Sequence, residues 1–185
     1  KKPLLKINNF SIIQHVYKRA EESYVGKVYV ATGDKEIAED IKKLNGEYIL
    51  TKKKHKTGTD RIYEAYTKIK KKVDCKYIIN LQGDEPFIDP LDIINLNKST
   101  LKKKSDICTI ATKINKDQFL DESIVKVITE DNLIKKKISK TKTFLRNCKN
   151  TKKKNVFAHI GIYQYKTSIL KQYVNLRQSN KEVKY

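Results

Sequence analysis

Through its first hundred residues the chain alternates short β-branched segments with stretches whose apolar side chains recur every three to four positions. Ile12, Ile13, Val16, Tyr17 and Ala20 form one such stripe, with Lys18, Arg19, Glu21 and Glu22 mostly on the wet side, so residues 11–23 read as an amphipathic helix. His15 sits beside that stripe and reads as structural. Lys27-Val28-Tyr29-Val30-Ala31 is strand-like and runs into Thr32-Gly33-Asp34, a turn with a candidate N-cap. The next helix buries Ile37, Ala38, Ile41 and Leu44, exits through Asn45-Gly46 and feeds a strand at 47–50. Thr57-Gly58-Thr59-Asp60 caps a helix carrying Ile62, Ala65, Tyr66 and Ile69 on its buried side. Tyr77-Ile78-Ile79-Asn80-Leu81 is apolar almost throughout, the character of a central strand covered on both faces. Right-handed crossovers join such an alternation into an α/β fold with a doubly wound, mostly parallel sheet.

From about residue 105 the pattern changes to three strand-like segments, 106–113, 124–130 and 156–166, separated by polar and lysine-rich stretches. A smaller sheet extension or flap is expected there, followed by a closing helix over 168–176 with Ile169, Leu170, Tyr173 and Val174 at helical spacing. No repeat or linker divides the chain, and 185 residues with 38% apolar content suffice for one core, so residues 1–185 are expected to form a single domain.

The formal charge of +20 raises the question of nucleic acid. Only four of the 41 basic residues are arginine, the side chain that meets phosphate bidentately and stacks on bases. The lysines fall in triplets at 52–54, 70–72, 102–104, 135–137 and 152–154, spread along the chain without interleaved aromatics. Solvated loops and helix ends are the favoured reading, and no specific nucleic-acid partner is expected. Apolar runs fall far short of the roughly 20 residues that span a bilayer and no signal-type segment opens the chain, so no membrane insertion and a cytoplasmic location are expected. Cys75, Cys108 and Cys148 lack metal or disulfide spacing and are expected to be reduced, mostly buried packing residues.

Three segments could carry chemistry. Gln82-Gly83-Asp84-Glu85-Pro86 follows the most apolar strand, at the carboxyl end where open α/β sheets place ligands, and its two carboxylates are oxygen ligands of the kind magnesium takes. Gly, Asp and Pro also mark turns for local reasons, and spacing alone favours a plain strand-to-loop turn. Thr57, Gly58 and Thr59 open a helix whose free N–H groups could hold an anion or a base edge, or could simply cap it. His159, Gly161 and Tyr163 share one face of a strand and Ile160 and Ile162 the other, one polar and one apolar face, which suits a sugar pocket, although a lone histidine or tyrosine on a strand is more often a satisfied structural residue.

Taken in order, these segments resemble the 3-deoxy-manno-octulosonate cytidylyltransferase family. Lys2-Pro3-Leu4 is similar to the end of its nucleotide-binding loop, and Ala31-Thr32 with Asp34 to its second-strand motif. His55 with Thr57-Gly58-Thr59-Asp60-Arg61 resembles H-x-S-G-T-[DE]-R, threonine replacing the usual serine. Asn80-Leu81-Gln82-Gly83-Asp84-Glu85-Pro86 resembles the Q-G-D-E-P hallmark, the most specific match. Val125-Lys126-Val127 resembles its V-K-V strand, His159-Ile160-Gly161-Ile162-Tyr163 its H-x-G-[IL]-Y motif, and Ser179 with Glu182 the start of S-x-x-E.

The resemblance implies a nucleotide-diphospho-sugar transferase-like fold and transfer of CMP from CTP to the anomeric hydroxyl of the acid sugar, with release of pyrophosphate. It further implies dependence on Mg2+, a homodimer, and a product used in lipopolysaccharide assembly. Residue by residue, Lys2 would contact the triphosphate, Thr57 and Gly58 would help read cytosine, and Gln82 and Asp84 would hold nucleotide and metal. His159, Tyr163 and Glu182 would face the sugar. Departures include the arginine-bearing loop expected before Lys2, a second metal-binding aspartate, and an E-x-L-E-Q-L-R segment expected beyond Tyr185; the expectation is a chain truncated at both ends, and a fragment of this extent can be inactive. Ile138-Ser139-Lys140 stands where the family has F-S-R, which retains positive charge but loses bidentate geometry. Competing readings are a cytidylyltransferase for the 8-amino or a nine-carbon acid sugar, and a basic binding module without turnover.

Overall fold

The computed structural model describes residues 1–148 and 154–176. They fall into two compact units, Lys1–Cys108 with Tyr163–Tyr185, and Thr109–Ile162.

The first unit opens with a short 3-10 turn, Lys2–Leu4, and a small antiparallel hairpin, β1 (Lys6–Ile7) with β2 (Phe10–Ser11). Ser11 then starts α1 (Ile12–Glu22): its hydroxyl accepts from the Gln14 N–H while the Gln14 side chain returns to the Ser11 N–H, a reciprocal cap. The predicted stripe is the buried face, through Ile13, Val16 and Tyr17. His15 is structural as expected, its Nε2 2.9 Å from the Ile7 carbonyl.

β3 (Val30–Thr32), α2 (Lys35–Lys42) and β4 (Tyr48–Leu50) form the predicted β-α-β unit, with β3 and β4 parallel. Asp34 caps α2 by accepting from the Glu36 N–H. The exit divides its work between two residues. Asn45 takes the left-handed conformation at φ 55°, while Gly46 is needed for close packing, since a Cβ there would lie 2.8 Å from Ile41 Cγ2 and 3.0 Å from the Tyr17 ring. Ile13, Tyr17 and Ile41 are the buried centre of this region, with Val28, Val30, Ile37 and Tyr48 packed around them.

α3 (Gly58–Ile69) starts at Thr57, and β5 (Tyr77–Asn80) follows it. α4 (Pro90–Lys103), which the sequence reading left unassigned, is set by Asp89 as N-cap, Pro90 at its first position and Lys104 in the left-handed conformation at its end. β5 pairs antiparallel with the end of β9 (Val156–Lys166), and α6 (Thr167–Val174) closes the unit. Among the described residues no strand pairs with the other edge of β5, nor with the edge of β3 away from β4. Both border a cavity of about 1730 Å³, walled by Ile13 and Val16 of α1 and by Ile62 and Tyr66 of α3. The expected cover on β5 is therefore only partial, and Tyr77, Ile78 and Ile79 are half-buried.

The second unit takes in the strand-like segment 124–130 and parts of the other two segments of the smaller extension. β6 (Ile107–Thr112) pairs with β9, and β7 (Lys126–Thr129) lies between β8 (Thr141–Leu145) and the first part of β9, antiparallel to both. Two elements there went unread: β8, and the short helix α5 (Lys116–Leu120), which the Asn115–Gln118 reciprocal cap starts. Phe119, Cys148 and Val156 form its buried cluster, against Ile114, Ile128 and Leu145. Cys148 is buried as expected, whereas Cys75 and Cys108 are half-buried; all three thiols are free.

The lysine triplets at 52–54, 70–72, 102–104 and 135–137 are exposed, and that at 152–154 lies outside the described residues except for Lys154. No described helix is long and apolar enough to cross a membrane.

Candidate active site

The loops after β3 and β5 are tied together by the chain's first two lysines. Lys1 Nζ lies 2.7 Å from Asp34 and 3.0 Å from Glu36, and Lys2 Nζ lies 2.8 Å from Asp84 Oδ2. These contacts place the carboxyl ends of the two strands at one place, the end of an α/β sheet at which ligands sit. The Asp84 carboxylate beside Lys2 raises that ammonium's pKa above its ordinary value, and Lys1 lowers that of Asp34. Asp34 is half-buried and the others are exposed, so the pairs position charge and add little stability.

Asp84 stands in the tight turn after β5, where the Glu85 N–H reaches back to the Gln82 carbonyl. Gly83 packs under the turn, a Cβ there falling 3.0 Å from Ile13 Cδ1. Gln82 projects toward the start of α3: a Cβ on Gly58 would lie 3.8 Å from its Oε1 and 3.9 Å from its Nε2. Lys2 with Asp84, and Gly58 with Gln82, are thus brought together as predicted site residues.

Thr57 already has a job at the start of α3. Its hydroxyl oxygen accepts from the Asp60 N–H, and its own N–H and O–H both donate to Asp60 Oδ2. The capping reading of Thr57 therefore holds, and contact with a base from this position would fall to its neighbours or need the hydroxyl to turn.

Arg61 of the same motif and Glu64 beyond it serve the adjacent loop. Arg61 donates to the Thr51 hydroxyl and to the carbonyls of Lys52 and Lys53. Glu64 gathers Lys68 Nζ at 2.8 Å and the Lys52 N–H, with His55 Nε2 at 2.8 Å in ion-pair range though outside hydrogen-bond geometry. Lys68, followed by the Lys52 N–H, holds the Glu64 carboxyl down at about 2 against its burial. The only sequence signal for this cluster is the Glu64–Lys68 spacing of four on a helix.

The remaining predicted residues lie elsewhere along the chain. Tyr163, in the first unit, stacks on Tyr165 at a centroid distance of 5.9 Å, and burial pushes its hydroxyl up to about 12. His159, in the second unit, has its Nε2 2.9 Å from the Thr109 hydroxyl and packs edge-on against Phe144 at 5.0 Å. Burial lowers its imidazole to about 4, which keeps it neutral at physiological pH. Thr109 was not a sequence candidate, and no pattern singles it out of β6. Glu182, with Ser179, lies outside the described residues. Where F-S-R was expected, Ser139 accepts from the Asp131 N–H and Lys140 lends its carbonyl to Glu130, both local roles.

No group of three or more His, Cys, Asp or Glu side chains that could hold a metal occurs among the described residues. Magnesium does not need one: it commonly binds through one or two carboxylates together with substrate phosphates. Asp84, exposed, with Glu85 next to it in the chain and an ammonium at 2.8 Å, fits a magnesium ion carried in on a triphosphate, not a preformed cage.

A family model described as cytidylyltransferase matches residues 1–184. The 3-deoxy-manno-octulosonate cytidylyltransferase of Thermodesulfovibrio yellowstonii is 39% identical, the alignment covering 98% of this chain and 75% of that protein. Its namesake in Glaesserella parasuis serovar 5 is 33% identical, covering 94% of this chain and 71% of its own. A solved structure described as CMP:2-keto-3-deoxy-manno-octonic acid synthetase complexed with CTP matches with a TM-score of 0.86 and 32% identity, over 99% of this chain and 74% of that one.

Proposed function

Because the chain belongs to the cytidylyltransferase family, we propose that it transfers CMP from CTP to 3-deoxy-manno-octulosonate, giving the CMP-sugar and pyrophosphate. The observation that carries the reading is the Lys2–Asp84 pair at 2.8 Å, placed by the hallmark turn after β5 in a chain that matches a CTP-bound synthetase over nearly its whole length. The anomeric hydroxyl oxygen of the sugar forms a bond to the α-phosphorus, the bond to the pyrophosphate oxygen breaks, and the hydroxyl proton passes to solvent. Such a transfer needs alignment and charge neutralisation more than covalent help.

In this reading Lys2 leaves Asp84 for the triphosphate. Asp84, with Glu85 in reserve, would hold the accompanying magnesium, which supplies charge neutralisation at the phosphates when bound. Gln82 and the N–H groups at Gly58 lie where the nucleotide enters, and His159 and Tyr163 serve the sugar. A homodimer, a cytoplasmic location and a product destined for lipopolysaccharide assembly go with this reading on the strength of the family resemblance.

The test is pyrophosphate release from CTP with and without the octulosonic acid and magnesium, alongside Asp84→Ala. The expected result is release that requires all three components and collapses in the variant. Release supported only by the 8-amino sugar would move the assignment to that substrate, and CTP turnover independent of any sugar would overturn it.

A further inference from the structure

The loop that leaves β4 is fixed at its backbone and carries a lysine with no carboxylate partner. The Thr51 N–H donates to the Thr32 carbonyl at 2.8 Å, extending the β3–β4 pairing past the end of β4. The next two residues are pressed onto the turn after β3, where a Cβ on Gly33 would meet the Lys52 carbonyl oxygen and the Lys53 Cα, each at 2.6 Å. Arg61 holds the same stretch, donating from Nη1 to the Lys52 carbonyl at 3.0 Å and from Nη2 to that of Lys53 at 3.1 Å, and the Glu64 carboxylate accepts from the Lys52 N–H. With the backbone ordered before any ligand arrives, binding has only side-chain freedom left to remove.

Lys53 differs from its neighbours in the triplet. It lines the cavity of about 1730 Å³ together with Asp34, Gly58, Gln82 and Gly83, whereas Lys52 and Lys54 do not. Lys1 lowers the Asp34 carboxyl most, and the Lys53 ammonium adds to that effect from further off. Lys1 and Lys2 are already paired with carboxylates, at 2.7 Å and 2.8 Å; among the described residues none forms an ion pair with Lys53.

We propose that Lys53 is a further substrate-contacting residue, its ammonium meeting the phosphates of bound CTP as a point charge. This rests on the reading of the chain as a CTP-dependent transferase. Lys53 has no carboxylate to give up, so its contact adds affinity outright, while Lys1 and Lys2 exchange one partner for another.

Isothermal titration of the full chain with CTP, CDP and CMP, each with magnesium, tests this. Lys53→Gln should weaken CTP binding by roughly three- to tenfold, with a smaller loss for CDP and the smallest for CMP, and Lys53→Arg should retain most of the affinity. Lys54→Gln removes the same charge from the same triplet and should leave CTP binding within about twofold of the parent. In pyrophosphate-release kinetics, Lys53→Gln should raise KM for CTP with kcat and KM for the sugar little changed, as loss of uniform binding does. CTP affinity unchanged in Lys53→Gln overturns the proposal, and so does an equal loss in Lys54→Gln, which would assign the effect to net charge. The same loss for all three nucleotides also overturns it, since the change would then lie at the base or ribose. In each of those cases a parent chain that binds CTP leaves the proposed function standing, whereas a parent that binds no CTP refutes both.

Discussion

Replacing Lys126 by methionine tests whether a buried cation holds the second unit together. Lys126 has 0% of its surface exposed, in β7 at the centre of that unit's strands. Its ammonium donates to the carbonyl of Asp121 and, at 2.8 Å, to that of Arg146. The same loop is gripped by Arg146, through the Glu122 and Ser123 carbonyls, and by Asn147 through the Glu122 carboxylate. Two charge-assisted bonds contribute about 1.5–3 kcal/mol each. Burying an ammonium costs several kcal/mol, which methionine would recover. The carbonyls left behind belong to exposed residues, so water can reach them in part. The balance predicts that Lys126→Met destabilises by about 1–3 kcal/mol. At about 2–4 °C per kcal/mol for a chain of this size, Tm should fall by roughly 2–12 °C. Lys126→Ala also loses about three methylenes, worth roughly 2.4 kcal/mol more, and should melt below the methionine variant. Scanning calorimetry of the three proteins decides the matter. A methionine variant that melts at or above the parent would show that the desolvation cost outweighs the two bonds.

Asp84→Asn keeps the shape of the hallmark turn but removes the charge facing Lys2, and should lower pyrophosphate release by at least about a hundredfold with Tm changed little, since an exposed pair adds roughly 0–1 kcal/mol. Gly33→Ala would push a Cβ to within 2.6 Å of the Lys52 carbonyl oxygen and the Lys53 Cα. Backbone cannot rotate aside as a side chain can, so a loss of at least about 1–3 kcal/mol is expected by urea titration. Acid stability should fall in two stages. His159 titrates at about 4 when folded against 6.5 when free, so the unfolded chain binds the extra proton and stability drops by up to roughly 3 kcal/mol as pH falls from 6.5 to 4. Glu64, depressed from 4.5 to about 2, contributes stability that is present above 4.5 and lost as pH falls through 2. Tm against pH should lose its upper limb in His159→Gln and keep the lower one.

Local periodicity made most of the first unit legible. The stripe from Ile12 to Ala20, the caps at Asp34 and Thr57 and the strand before Gln82 appear within a residue or three of where the sequence puts them, because helix caps and apolar spacing act over one or two turns. α4 was not read: its apolar residues Ile93, Leu96 and Leu101 are diluted by Asn and Lys, and only Asp89-Pro90 marks its start. β8, with its exposed and half-buried Thr141–Leu145, lacks an apolar face strong enough to be read and depends on pairing with β7. At the site the motif residues were legible, and their partners were not. Lys2 and Asp84 are 82 positions apart, and Thr109 and His159 are 50 apart, so each pairing is a property of the fold.

The net charge of +20 and the chemistry of the site are separable. The exposed triplets stand on loops and helix ends, where a charge is screened over about 8 Å at physiological salt, and of them Lys53 lies near enough to Asp34 to help Lys1 lower its pKa. The ends of β3 and β5 carry a set of paired charges, Lys1 with Asp34 and Glu36, and Lys2 with Asp84. A bare polyanion could engage Lys1 and Lys2 only by stranding those carboxylates. A triphosphate carrying magnesium brings both signs, an anion for Lys2 and a cation for Asp84, so each group exchanges one partner for another and neither is left alone. On the reading proposed above, this local pairing favours a metal-bound triphosphate over a nucleic-acid backbone whatever the total charge of the chain.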